Sequence, residues 1–190
     1  QPQSFIIFNS TTTTPAVPTN YAHSGNKIAA SFDAAPPAEG QPAPQTNDWM
    51  ITPRLSIVAG DHVSFWAKTY QGYGGLEQFN VLVSTEGTEV TDFTTSISGN
   101  GPVSAPEGDW TQYSYDLSAY VGQTIYIAIQ CVSNDQHIFL VDDFAVGANT
   151  PATFAAFNPN VAYTNVYKKG LPTANNTATL TTPEATPATR

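Results

Sequence analysis

A chain of 190 residues is long enough for one domain with a full hydrophobic core and too short for two comfortable ones. Only 11% of residues are charged, and 15 acidic against 6 basic residues give a net charge of −9, so the clustered cations that nucleic acid or an anionic membrane would need are lacking. No run approaches the roughly 18–20 apolar residues of a membrane span, and a composition rich in Thr, Ala, Pro, Ser, Asn and Gln points to an extracellular or cell-surface protein whose export signal has been removed.

Period-two alternation recurs along the chain, whereas helical periodicity is hard to find. Phe5-Ile6-Ile7-Phe8 and Ile28-Ala29-Ala30-Ser31-Phe32 predict two opening strands. The stretch 34–44 carries Pro36, Pro37, Pro42 and Pro44 and predicts a loop, because proline donates no ladder hydrogen bond and restricts the residue before it. Val63, Phe65 and Ala67 share one face of the next strand, and Phe79, Val81 and Val83 one face of another. Trp110 to Leu117 predicts a further strand. Ile125, Ile127 and Ile129 form a stripe with Tyr126 and Ala128 opposite, and Leu140, Phe144 and Val146 form the last. Turn signals separate them, among them Ala59-Gly60-Asp61, Gln71-Gly72-Tyr73-Gly74-Gly75 and Ser98-Gly99-Asn100-Gly101-Pro102. Short strands with regular turns predict an all-β jelly-roll β-sandwich over residues 1–149.

After Gly147 the alternation fades, and residues 150–190 read as a less regular Thr/Ala/Pro-rich extension or linker. Phe154, Phe157, Tyr163, Val166 and Tyr167 are available there to pack on the main domain. Cys131 is the single cysteine, so no intramolecular disulfide is possible, and its apolar surroundings predict a buried, inert thiol.

The order of several segments carries a family likeness. His23-Ser24-Gly25-Asn26 is followed by Asn47-Asp48-Trp49-Met50-Ile51-Thr52-Pro53 and by Val63-Ser64-Phe65-Trp66-Ala67. Glu77-Gln78-Phe79-Asn80-Val81-Leu82-Val83-Ser84-Thr85, Thr91-Asp92-Phe93-Thr94, Trp110 with Asp116-Leu117-Ser118-Ala119-Tyr120-Val121-Gly122, and Val141-Asp142-Asp143-Phe144 complete the set. Over roughly residues 20–147 this resembles the cleaved-adhesin, or choice-of-anchor J, domains of bacterial surface and secreted proteins, which are related to galactose-binding and MAM-like jelly rolls. The resemblance implies a calcium-binding jelly roll used in adhesion or as an accessory domain, and no catalysis. The Pro-rich insertion before Asn47 is long for that pattern, and the segment after Gly147 has no counterpart in it.

Residue parity gives an independent argument about the acids. Asp142 lies in phase with Leu140, Phe144 and Val146, and Glu77 in phase with Phe79, Val81 and Val83, so both carboxylates are expected on inward faces. Inward carboxylates at strand ends suit a hard cation with six to eight oxygen ligands. The expectation is one structural Ca²⁺ held by Asp142 and Glu77, with Asp143, Asp33, Ser31 or nearby carbonyls completing it. The alternative is purely structural: Asp142 accepts backbone N–H bonds, and Glu77 pairs with Arg54 or Lys68.

Tyr70 and Tyr73 in a glycine-rich loop, with Trp66 facing opposite to Phe65, offer an aromatic platform on which a carbohydrate could stack. Alternatively, Tyr73 packs down to close the end of the sandwich. His23, His62 and His137 lack metal-ligand spacing, and no Gly-x-Ser-x-Gly elbow occurs, so no catalytic residue is nominated. The reading is a non-catalytic binding domain for a glycan or a host or matrix protein; the alternative is an accessory or spacer domain of a secreted hydrolase.

Overall fold

The computed structural model describes residues 5–14, 20–33, 39–71 and 74–148. The Tyr73 expectation and those on residues 150–190 lie outside the described residues. Among the described residues the chain runs β1 (Ile6–Phe8), β2 (Ile28–Phe32), β3 (Asp48–Ile51), β4 (Leu55–Ser56), β5 (Asp61–Thr69) and β6 (Gln78–Ser84). It continues through β7 (Thr95–Ser96), β8 (Val103–Ser104), β9 (Thr111–Asp116), β10 (Thr124–Cys131) and β11 (Ile138–Ala148), and the only helical turns there are three short 3-10 segments. The strands form two antiparallel sheets, one ordered β1-β2-β11-β5-β9 and the other β3-β10-β6-β7, with β4 pairing β10 and β8 pairing β6. This is the expected all-β sandwich.

Alternation decides the core. From the five-stranded sheet, Ala29, Val63, Phe65, Ala67, Phe139 and Val141 point inward; from the other come Phe79, Val81, Val83, Ile125, Ile127 and Ile129, all buried. Phe79 lies at the centre, stacked on Phe139 at 5.1 Å and edge-on to Tyr113 at 5.0 Å. Cys131 closes the β10 stripe as a buried free thiol, and burial raises its pKa above the ordinary thiol value.

β11 breaks the parity that its sequence suggests. Directly opposed residues of an antiparallel pair face the same way. Phe139 opposes Thr69, Val141 opposes Ala67 and Asp142 opposes Trp66, but Ala145 then opposes Ser64 and Val146 opposes Val63. One extra residue has been inserted in β11, and Asp143 sits there with φ +48°. Phe144 and Val146 therefore reach the core, whereas Leu140 and Asp142 face the outside of the sheet. Leu140 joins Ile28 and Ala30 in a second, smaller cluster on that outer face, covered in part by Tyr21, Ala22, Tyr70 and Trp110.

Candidate functional site

Two buried acids, Glu77 and Asp48, and the half-buried Asp33 converge at one end of the sandwich. Glu77 lies one residue before β6 with 0% of its surface exposed. The His137 N–H donates to its Oε1 at 2.7 Å, and the Ser133 hydroxyl donates to its Oε2. Ser133 Oγ also accepts from Gln78 N–H at 2.9 Å, and the Ser133 carbonyl accepts from Thr46 N–H at 2.8 Å. The Thr46 hydroxyl donates to Asp33 Oδ1 at 3.3 Å, while the Ser31 hydroxyl donates to Asp48 Oδ2 at 2.8 Å. The strand ends of β2, β3, β6 and β10 thus bring Asp33, Asp48 and Glu77 into one hydroxyl-lined region.

Burial pushes the Glu77 carboxyl up from 4.5 to about 7; the Ser133 and His137 bonds oppose that rise, and the charge of Asp33 adds to it. Burial likewise raises Asp33 against its Thr46 bond, with Asp135 and Asp48 adding repulsion, and raises Asp48 against its Ser31 bond. Asp33 Oδ2 is buried with no hydrogen-bond partner. An orphaned acceptor beside other carboxylates is an uncompensated cost, since buried polar atoms are nearly always paired.

Asp142 and Asp143 are held elsewhere, on the outer face of the five-stranded sheet. Asp142 Oδ2 accepts from the backbone N–H groups of His23 at 2.8 Å and Ser24 at 3.3 Å, and its Oδ1 accepts from Asp143 N–H at 2.7 Å. Asp143 takes His23 Nδ1 at 2.7 Å on Oδ2 and the Ser24 hydroxyl on Oδ1. Burial alone would raise Asp143, but the Ser24 and His23 bonds outweigh it and hold the carboxyl below its usual range. The bulge places both acids outside the core, where they clamp the His23-Ser24 segment. Of the candidate metal ligands, Glu77, Asp33 and Ser31 lie together at the end of the sandwich, whereas Asp142 and Asp143 bond the His23-Ser24 segment on the outer face. Among the described residues, no group of three or more His, Cys, Asp or Glu side chains could hold a metal by itself, so a cation at the end cluster would need hydroxyl and carbonyl oxygens as well. Glu77 pairs with neither Arg54 nor Lys68; Lys68 Nζ donates to the Gly108 carbonyl at 2.8 Å and lies 5.6 Å from the Trp110 ring centre.

The candidate aromatic platform is engaged by packing. The His23 ring stacks on Trp66 at 4.0 Å and 16°, with Trp110 edge-on to His23 at 5.8 Å. Tyr70 donates its hydroxyl to Tyr21 Oη at 3.1 Å and meets that ring edge-on at 5.0 Å. Trp66 faces outward as its parity requires, but the imidazole covers it. Sequence reasoning missed Thr46, Asp48 and Ser133 in the end cluster. Asp48 sits in a four-residue strand whose burial shows no clean alternation, while Thr46 and Ser133 lie just outside strands, where period-two parity gives no signal.

A model of the Cleaved Adhesin Domain family matches residues 9–146. Hemagglutinin A of Porphyromonas gingivalis is 26% identical over 134 residues, covering 60% of this chain and 6% of that protein, so the chain spans only a small fraction of the curated relative's length. The crystal structure of the K1 cleaved adhesin domain of Lys-gingipain from the same organism superposes with a TM-score of 0.59 at 19% identity, covering 77% of this chain and 85% of that one. The K3 domain gives a TM-score of 0.55 at 21% identity, covering 77% and 92%. These superpositions establish the shared sandwich fold. Among the described residues, no helix is long and apolar enough to cross a membrane.

Proposed function

The chain belongs to the Cleaved Adhesin Domain family, and from that premise we propose that it is an extracellular adhesion module that recognises glycan, with calcium holding one end of the sandwich. The observation that carries the binding role is the family match across nearly all of the described sandwich. Glycan is favoured over a protein ligand by the charge-poor chain, with 11% charged residues, because sugars are recognised through neutral hydrogen-bonding groups and aromatic faces. The hemagglutinin name of a relative is consistent with attachment to cell-surface sugars.

Calcium is proposed for the cluster around Glu77 and Asp33. The carboxylates and the Ser31, Thr46 and Ser133 hydroxyls supply the oxygen donors that a hard cation requires, with the Cys131 thiol 3.4 Å from Ser133 Oγ behind them. The orphaned Asp33 Oδ2 supports this reading, and a cation there would also offset the Glu77 pKa, which burial raises first and the Asp33 charge raises a little further. A bound cation would neutralise these acids and tie the strand ends together.

The test of the binding role is adhesion of the chain, displayed multivalently on beads, to red cells before and after enzymatic deglycosylation. Binding that disappears with the sugars supports the glycan reading. Binding that survives deglycosylation transfers the role to a host or matrix protein, and no adhesion to either preparation refutes the adhesion module as stated.

A further inference from the structure

We propose that the outward face of the six-stranded sheet carries a neutral-oligosaccharide site built on Asn47, Trp49, Asn80 and Gln130. This rests on the glycan-binding reading above and locates it on a face that neither Trp66 nor Tyr70 shares. The register places Gln130 of β10 opposite Trp49 of β3 and opposite Asn80 of β6, so the three side chains form one row across three strands. Adjacent strands are about 4.8 Å apart, so the row spans about 10 Å.

The row is bonded together. Asn47 Oδ1 accepts from Trp49 Nε1 at 2.8 Å and from Gln130 Nε2 at 2.8 Å, and Gln130 Oε1 accepts from Asn80 Nδ2 at 3.1 Å. Each bond fixes an amide or indole plane and leaves specific valences over. Asn47 retains both Nδ2 hydrogens, Gln130 and Asn80 one N–H each, and Asn80 its Oδ1 acceptor. A sugar hydroxyl both donates and accepts, so vicinal hydroxyls match this fixed array of donors and an acceptor. Phe93, itself 5% exposed, packs against the indole at 5.7 Å and fixes the ring that an apolar sugar face would stack on. Prior fixation lowers the ordering cost of binding. Stability alone does not call for the arrangement, since amide bonds on a half-exposed face replace bonds to water and add little.

Charge selects the ligand class. In a molecule of net charge −9, no outward-facing side chain of β3, β6 or β10 carries a formal charge, the acid of β3, Asp48, being turned inward and 4% exposed. A sialylated or sulfated sugar finds no cation on this face and meets an acidic molecule around it; a cationic ligand finds no acid there.

The test is a printed panel of neutral and sialylated oligosaccharides, with hits titrated calorimetrically against the full chain and against Trp49→Ala, Asn80→Ala and, on the opposite outer face, His23→Ala. The side-chain amide and indole N–H resonances are followed in two-dimensional NMR, which reports the site directly even where a variant lowers stability. The expected result is binding of neutral sugars, at least a tenfold loss of affinity in Trp49→Ala and Asn80→Ala, none in His23→Ala, and shifted resonances of Asn47, Trp49, Asn80 and Gln130. Neutral-sugar binding with unchanged affinity in the Trp49 and Asn80 variants would overturn this site while leaving the glycan-binding function standing. Binding of sialylated sugars only would overturn the neutral specificity. No sugar bound by the intact chain would bring down the function together with the site.

Discussion

Replacing Glu77 by glutamine isolates the cost of one buried acid, and the sign of its effect depends on calcium. The folded-state pKa of about 7 lies above the ordinary 4.5, so between those values the native state binds the proton that the unfolded chain has released. The contribution of Glu77 to the stability of the metal-free protein therefore falls as pH rises from about 4.5 to about 7 and is flat above, the full loss amounting to about 3 kcal/mol. Glutamine keeps the shape, has no charge to desolvate, can still accept the His137 N–H through its Oε1, and turns an N–H toward the Ser133 hydroxyl. Allowing about 1 kcal/mol for the poorer Ser133 bond, Glu77→Gln should exceed wild type by about 2 kcal/mol in EDTA at pH 8, or about 6 °C in Tm for a domain of this size. At pH 5 the advantage should vanish. Calcium at a hundredfold excess over its Kd should add about 2.7 kcal/mol to wild type and little to the variant, reversing their order. Differential scanning calorimetry of both proteins at pH 5 and 8, with calcium and with EDTA, reads all of this, and the difference between them cancels groups that titrate alike in both. A variant that melts below wild type at pH 8 in EDTA would refute the buried-acid argument; the absence of any calcium effect on wild type would remove the metal.

Asp142→Ala removes the acceptor for three N–H groups, those of His23, Ser24 and Asp143. It should cost about 2–3 kcal/mol, equally in calcium and in EDTA by urea denaturation, and a loss confined to calcium would return Asp142 to the metal site. Gly74→Ala would place a Cβ 1.9 Å from the Asp135 carbonyl oxygen, forcing apart the segment that delivers the His137 N–H to Glu77. A destabilisation of about 2 kcal/mol or more is expected, and unchanged urea midpoints would show that the loop yields freely. Phe65→Ala, at a site with 0% exposure and ring contacts to Phe79, Tyr113, Tyr115 and Phe144, should lose about 3–5 kcal/mol by the same assay. If the neutral-sugar site is as described, glycan affinity should fall several-fold in EDTA, and the reciprocal calcium affinity should rise on adding sugar.

The stripes on β5, β6 and β10 were legible because a two-residue period needs only local sequence, and each held in the structure. The stripe on β11 did not, since one inserted residue reverses the parity of everything beyond it. An aspartate at φ +48° leaves no mark in the hydrophobic pattern. Glu77 was legible as an acid in phase with Phe79, Val81 and Val83. The fate of Trp66 was not, because the ring that covers it belongs to His23, in a segment before β2. The amide row is invisible for the same reason. Gln130 meets Asn80 across 50 residues and Asn47 across 83, and in the chain each is an ordinary polar residue.

The end cluster and the amide row are adjacent because strands alternate. On β3, Asp48 points inward to Ser31 while Asn47 and Trp49 on either side of it belong to the row. On β10, Gln130 points out, and Ser133 three residues later bonds Glu77. On β6, Asn80 completes the row three residues after Glu77 itself. The backbone stitches these ends together directly, with Thr46 N–H on the Ser133 carbonyl and Val132 N–H on the Gln78 carbonyl, each at 2.8 Å. Carboxylates that repel one another at the strand ends work against the same short segments whose register aligns Asn47, Gln130 and Asn80. A cation that removes that repulsion would therefore favour the register of the row without touching a sugar. The coupling need be no larger than the ordinary 1–3 kcal/mol between linked sites to make adhesion sensitive to extracellular calcium.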